Sequence, residues 1–306
     1  MTLPRLPSIR ELIKLYGLSA KSQLSQNFIL DKNVTDKIVR TAHVSEQTPL
    51  VMEVGPGPGL LSRSILDTGV KTIIAIEKDD RFIPTLQQLS EASAHRFKVI
   101  QGNVLDVEHQ TILDACPQFT SEEPLHIMGN LPFNIATPLL LQWLHLQASQ
   151  KGLFGLKNDV WMTLMFQKEV GDRIIADVST SKRGRLSVMA QSLCNVKEVY
   201  KVPSTVFVPK PKVDASVIQL ITKPITQTMT GGTYITLENI LRYYFTKRRK
   251  TMGHITKRLA KELPQVNPLM EEIEIMVDFK ARPEDVTTEQ FYNLAKFFHK
   301  HNITKF

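Results

Sequence analysis

Leu50-Val51-Met52-Glu53-Val54-Gly55-Pro56-Gly57-Pro58-Gly59-Leu60-Leu61 is the stretch that decides the fold. Leu50–Val54 has strand character, breaks on alternating glycines and gives way to a helical pattern over Leu60–Leu66. Glycine reaches positive φ at no steric cost and lets a ligand approach the backbone. In open α/β sheets ligands sit beyond the carboxyl ends of the strands, where Gly55, Gly57 and Gly59 fall. The dinucleotide fingerprint requires its third glycine at position 60, which is Leu60. Pro56 and Pro58 also remove two N–H donors that a pyrophosphate would use. The turn therefore points to an adenosine-type ligand without a pyrophosphate.

Outward from this turn, apolar runs with strand character recur at Thr72–Ile76, Phe97–Ile100, Leu125–Met128 and Val160–Phe166. Helical patterns over Asp80–Leu89 and Thr137–Leu146 fall between them. This alternation predicts a parallel sheet covered on both faces. Val196–Val202 and Ala215–Leu220 have no helix between them and predict strands closing one end of the sheet, with an antiparallel pair. Lys223–Thr233 lacks apolar periodicity and holds Pro224, Gly231 and Gly232, which marks a boundary. Beyond it Leu241, Tyr244, Phe245, Met252, Ile255 and Leu259, then Phe291, Leu294, Ala295 and Phe298, recur at helical spacing. The predicted architecture is α/β, a Rossmann-like sheet domain over 1–225 with a small helical domain over 233–306.

The chain of 306 residues carries a net charge of +8, which favours a polyanionic partner or a membrane surface. No apolar run reaches the length of a membrane-spanning helix, so no membrane partner is expected. Cys116 and Cys194 stand far apart, without a metal-ligand pattern, and read as buried or incidental thiols; no metal is expected. Arg5, Arg10, Lys14 and Lys21 oppose a single acid, Glu11, in the first 21 residues, while Ile9, Leu12, Ile13 and Tyr16 recur at helical spacing. Such a start fits either an organelle transit segment or an N-terminal helix packed on the domain.

A second junction, Leu125-His126-Ile127-Met128-Gly129-Asn130-Leu131-Pro132-Phe133, ends an apolar strand in Asn-Leu-Pro-Phe. Asn130 offers a side-chain carbonyl as acceptor, Pro132 a backbone carbonyl and Phe133 a face for stacking. Two acceptors and an aromatic suit the exocyclic amine of a flat base. Glu77, 18 residues after Gly59 at the end of the second strand, is placed to accept from ribose hydroxyls. Asn103, after the third strand, is placed to accept from an adenine amine. An ordinary turn asparagine and a surface glutamate are the competing readings of these two positions.

These segments together resemble the KsgA-type rRNA adenine N6,N6-dimethyltransferases. The resemblance runs through Ser25–Ile29, Glu53–Gly59, Ile76–Lys78, Gly102–Leu105, Gly129–Phe133, Phe166–Val170 and Phe207–Asp214, nearly the whole chain. Ile9–Lys14, Arg81–Pro84 and Arg185–Gln191 are similar to the mitochondrial members in particular. The resemblance implies an S-adenosylmethionine-dependent methyltransferase sheet and dimethylation of N6 on two adjacent adenosines in the 3′-terminal stem-loop of small-subunit rRNA. It implies a role with the pre-small ribosomal subunit in the mitochondrial matrix, as a monomer. It places Asn27 and Ile29 at the methionine end of the cofactor, Gly55 and Gly57 along it, Glu77 and Lys78 at the ribose, and Asn103 and Val104 at the adenine. Asn130 would meet both cofactor and target. The family usually has Asp where this chain has Asn103; the amide still accepts, but the charge is lost.

Arg242, Lys247, Arg248, Arg249, Lys250, Lys257, Arg258 and Lys261 carry eight positive charges without an acid between 241 and 261. With Tyr243 and Tyr244 beside them they read as an RNA-phosphate surface, centred on Lys247, Arg248, Arg249 and Lys250. Lys210 and Lys212 are expected to guide the substrate strand, and Phe207 either walls the base pocket or packs in the core. Two other functions use the same features. One is a non-catalytic nucleic-acid-binding factor in ribosome assembly or with the mitochondrial transcription machinery. The other is a DNA adenine methyltransferase, which more often has an acid where Asn130 stands.

Overall fold

The computed structural model describes residues 3, 11, 27–120, 123–156, 158–224 and 231–306. The amphipathic start around Ile9, Leu12, Ile13 and Tyr16 lies outside them, as do Ser25 and Gln26.

The first part of the chain alternates as expected. Strand β1 (Phe28–Ile29) and helix α1 (Lys32–Thr41) precede β2 (Leu50–Val54), α2 (Leu60–Leu66), β3 (Thr72–Glu77) and α3 (Ile83–Ala92). Then come β4 (Phe97–Gln101), α4 (His109–Asp114), β5 (Leu125–Gly129), α5 (Phe133–Ala148) and β6 (Val160–Gln167). Helices α6 (Lys168–Ile174) and α7 (Arg185–Leu193) lead into β7 (Cys194–Val202), β8 (Phe207–Val208) and β9 (Ala215–Thr222). The remainder is helical: α8 (Gly231–Phe245), α9 (Met252–Glu262), α10 (Met270–Met276) and α11 (Thr288–Lys300).

Seven strands form one sheet in the order β4-β3-β2-β5-β6-β9-β7. The β4-β3, β3-β2, β2-β5 and β5-β6 pairs are parallel, and β6 with β9 is antiparallel. Every residue of β2, β3 and β5 is buried, as strands covered on both faces require. Strand order reverses at β2, which has β3 on one side and β5 on the other. The loops after β2 and β5 therefore diverge and leave a crevice at their carboxyl ends, the ligand position of such sheets.

Three elements begin elsewhere than the sequence predicts, and several run one to three residues further. Helix α5 begins at Phe133, four residues early, because the Pro132 carbonyl accepts from the N–H groups of Ile135 and Ala136 at 3.0 and 3.2 Å. The helix expected from Asp80 opens as a 3₁₀ turn over Asp80–Phe82 before α3, whose first turn holds Pro84. Strand β7 begins at Cys194, not Val196. Cys116 and Cys194 are both buried.

Contacts divide the chain into two units. One comprises 1–143, 151–171 and 197–222; the other comprises 144–150, 172–196 and 223–306. The expected boundary falls largely on residues 225–230, outside the described residues. In the first unit Ile38, Val39, Val51, Ile73, Phe82, Leu86 and Phe97 fill the core between α1, α3 and the sheet. In the second, Tyr244 is fully buried, its ring 6.3 Å from Phe291 and its hydroxyl 2.8 Å from Thr256 Oγ1. Thr287 caps α11 in a reciprocal box with Gln290.

Candidate cofactor and base site

The glycine turn is held open by backbone conformation. Gly55, Gly57 and Gly59 have φ of +64°, +52° and +83°, all left-handed. A Cβ on Gly57 would lie 2.9 Å from the Phe28 ring, whereas one on Gly55 would meet nothing within 4 Å. Gly57 is thus required by packing as well as by φ, and Gly55 faces open space. Glu77 braces the turn: its Oε2 accepts from Gly57 N at 2.9 Å and its Oε1 from Asp79 N at 2.8 Å. Asp79 is in turn clasped by the Arg81 guanidinium, which holds its carboxyl below the usual range. Burial pushes the Glu77 carboxyl upward, and the two N–H bonds oppose that shift.

Beyond the turn lies a cleft within the first unit. Asn27, Ile29, Gly55, Gly57, Asn130 and Pro132 line it, together with Glu53 and Thr35. Strand β1 reaches the cleft through a short antiparallel ladder with β8, Phe28 opposite Val208 and Ile29 opposite Phe207. Asn130 Nδ2 donates to the Asn27 carbonyl at 2.7 Å. That bond fixes which end of the amide is which and directs Oδ1 away from Asn27 as an acceptor. Glu53, in the middle of apolar β2, is 1% exposed, and neither carboxylate oxygen has a hydrogen-bond partner. Burial pushes its carboxyl up to about 8; the Ser62 hydroxyl opposes that shift, and the charge of Glu77 adds to it.

The ribosomal RNA adenine dimethylase family matches residues 17–300 of the chain. The chain belongs to this family. It is 41% identical over 303 residues to dimethyladenosine transferase 1, mitochondrial, of Xenopus tropicalis, covering 97% of this chain and 86% of that one. The human protein of the same name is 39% identical over 302 residues, with the same coverage. A dimethyladenosine transferase from Plasmodium falciparum shares the fold, with a TM-score of 0.68 at 24% identity, covering 91% of this chain and all of that one. The protein is an S-adenosylmethionine-dependent rRNA adenine dimethyltransferase. The cleft suits that cofactor: the open glycine turn leaves room for close approach, and the lining holds a buried carboxyl group without a cation, which a positively charged ligand would satisfy.

The dimethyltransferase brings Asn27, Ile29, Gly55, Gly57, Asn130 and Pro132 to one cleft, and other expected residues are not part of its lining. Lys78 is exposed and Val104 buried, and neither is among the cleft residues. Asn103 Nδ2 donates to Asp106 Oδ2 at 2.8 Å, and its Oδ1 receives a long bond from Leu105 N at 3.4 Å. The Pro132 carbonyl, expected to face the target amine, is engaged by two N–H groups of α5. Phe133 is half-buried against the core. Phe207 is 2% exposed and belongs to the core, so of its two readings packing holds.

The basic run is less uniform than its sequence. Arg248 pairs with Glu284 at 2.8 Å and donates to the Ser181 carbonyl. Arg258 pairs with Glu262 at 2.9 Å, and Lys247 lies over the Tyr243 ring at 3.4 Å from its centroid. Tyr243 and Tyr244 are buried, so neither offers a stacking face to RNA. Arg249, Lys250, Lys257 and Lys261 are exposed, as are Lys210 and Lys212. Among the described residues no cluster of His, Cys, Asp and Glu suits a metal, and no helix is long and apolar enough to cross a membrane. Sequence reading passed over Glu53. Its signal was a lone carboxylate inside an otherwise apolar strand.

Proposed function

We propose that the protein dimethylates N6 of two adjacent adenosines in the 3′-terminal stem-loop of mitochondrial small-subunit rRNA. It does so in the mitochondrial matrix, as a monomer, on the pre-small ribosomal subunit, and so supports assembly. The observation that carries this reading is the Asn130–Asn27 bond, which presents an oriented amide oxygen inside the cofactor cleft.

S-adenosylmethionine supplies the activated methyl group. The chain supplies orientation. Asn130 Oδ1 accepts from an N6–H of the target, turns the nitrogen lone pair toward the cleft and stabilises the positive charge that develops there. The Pro132 carbonyl joins it only when the first turn of α5 releases it. The methylated nitrogen then loses its proton to water, so no general base is assigned. Phe133 stacks on the base, returning about 1–3 kcal/mol toward the cost of flipping it out. Glu77 and Lys78 serve the ribose, and Asn103 and Val104 the adenine. Each Glu77 oxygen keeps a second lone pair beyond the N–H it already receives.

Residues 1–225 form the catalytic domain in this reading, and 233–306 the RNA-binding domain. Lys247, Arg248, Arg249 and Lys250 hold phosphates, and Lys210 and Lys212 guide the strand. Primer extension across the 3′ stem-loop of small-subunit rRNA, after incubation with enzyme and cofactor, tests it. Two adjacent stops are expected; uninterrupted extension contradicts it.

A further inference from the structure

Glu53 is a buried carboxylate of the cleft that no backbone N–H and no cation satisfies. The three carboxylates near the glycine turn differ sharply. Glu77 accepts two backbone N–H groups, and Asp79 is clasped by Arg81. Glu53 has neither an N–H nor a cation within hydrogen-bond distance, and the Ser62 hydroxyl is the neighbour that favours its charged form. Its ladder neighbours, Ala75 on β3 and Met128 on β5, are uncharged. So are the cleft residues from the other elements: Asn27, Phe28 and Ile29 from β1, Thr35 from α1, Leu60 and Leu61 from α2, and Asn130 and Pro132 after β5. The titratable group that acts on it is Glu77, another carboxylate.

A carboxylate in such a place is stable only when protonated or when a cation enters. S-adenosylmethionine carries two positive centres at its methionine end, the sulfonium and the α-ammonium, against one carboxylate. S-adenosylhomocysteine lacks the sulfonium charge.

We propose that Glu53 is a proton-releasing counter-ion for the cofactor, protonated in the free enzyme and ionised when the doubly cationic methionine end of S-adenosylmethionine occupies the cleft. The balance is simple: binding expels one proton from the Glu53 carboxyl to solvent, and the anion left behind faces the sulfonium. After methyl transfer the sulfur is neutral, Glu53 regains a proton, and the spent cofactor is held less tightly. Glu53 thus acts as a positioning residue that favours substrate over product. This rests on the reading that the cofactor occupies this cleft.

Titration calorimetry of the full chain without RNA, in two buffers of different ionisation enthalpy, counts the released protons at pH 6.0–7.5. Near one proton is expected for S-adenosylmethionine and little for S-adenosylhomocysteine. The apparent affinity for S-adenosylmethionine should rise about tenfold per pH unit across this window. Glu53→Gln should abolish both the release and the slope, and bring the two ligands to similar affinity. Release below about a fifth of a proton in the wild type overturns the proposal without any variant. So does Glu53→Gln that keeps the wild-type pH slope. Ultraviolet cross-linking of the tritiated cofactor tests the premise separately: label outside residues 27–61, 77–78, 103–104 and 130–133 removes the cleft reading and the proposal with it.

Discussion

The side-chain amide of Asn103 donates to the carboxylate of Asp106 at 2.8 Å. The charge that the family places at position 103 is therefore present three residues on, holding the amide nitrogen and setting the amide orientation. In the proposed adenine site this leaves Oδ1 to accept from the adenine amine.

Asn103→Asp alone should accordingly weaken cofactor binding, although a carboxylate is the stronger acceptor in isolation. It sets two carboxylates within hydrogen-bond distance, and like charges so close oppose joint ionisation. Near the surface the penalty is about 0.2–1 kcal/mol, up to roughly fivefold in Kd. Asn103→Asp with Asp106→Asn should recover wild-type affinity. Calorimetric Kd values for the single and double variants check this; a tighter-binding Asn103→Asp variant rules out the orienting contact.

Glu77→Ala should damage both binding and stability. Removing the carboxylate strands the N–H groups of Gly57 and Asp79, each at about 1–3 kcal/mol. Loss of hydrogen bonds from ribose hydroxyls to a charged group, worth about 1.5–3 kcal/mol, should weaken S-adenosylmethionine at least tenfold. Denaturant melts and calorimetry on the same samples separate the two. Unchanged affinity in a folded variant would take Glu77 out of the ribose site.

Glu53 makes the free enzyme less stable as pH rises. Its folded-state carboxyl is pushed up to about 8 from an ordinary value of 4.5, so the folded chain binds more protons than the unfolded chain between those values. Unfolding free energy falls with pH across that window. Glu53→Gln removes this component, so its melting temperature should gain on the wild type from pH 5 to pH 8. A constant difference between the two proteins across that range contradicts the assignment.

Arg249 and Lys250 are exposed, whereas Arg248 is paired with Glu284 and Lys247 covers Tyr243. Neutralising Arg249 and Lys250 should leave the fold intact and lower the salt dependence of RNA binding by about 1.4 log units for two single-strand phosphate contacts. Arg248→Ala should cost up to about 1 kcal/mol of stability through its ion pair. Filter binding over a salt series decides the first point. An unchanged slope sends the search for the RNA surface to Lys210 and Lys212.

The strands of the sheet were legible because Leu50–Val54, Thr72–Glu77 and Leu125–Gly129 are apolar runs bounded by turn residues, a pattern that burial on both faces imposes. The glycine turn and Asn130 were legible because special backbone and amide chemistry leave few alternatives. Element ends were less so: the N–H bonds that start α5 at Phe133 arise from the Pro132 carbonyl, not from periodicity. The pairing of Arg248 with Glu284, 36 residues away, and the burial of Tyr243 and Tyr244 depend on tertiary packing that local spacing does not encode. Glu53 escaped notice because a carboxylate's partners, or their absence, become visible only in three dimensions.

Single-turnover methylation of small-subunit rRNA by Asn130→Ala, at saturating RNA and cofactor, tests the central claim most directly. The Asn130 amide is held by Asn27 to present its oxygen in the cleft. The wild type should convert two adjacent adenosines to N6,N6-dimethyladenosine, read by nucleoside mass spectrometry, while the variant binds RNA normally and forms almost none. Dimethylation by Asn130→Ala at the wild-type rate would contradict the account.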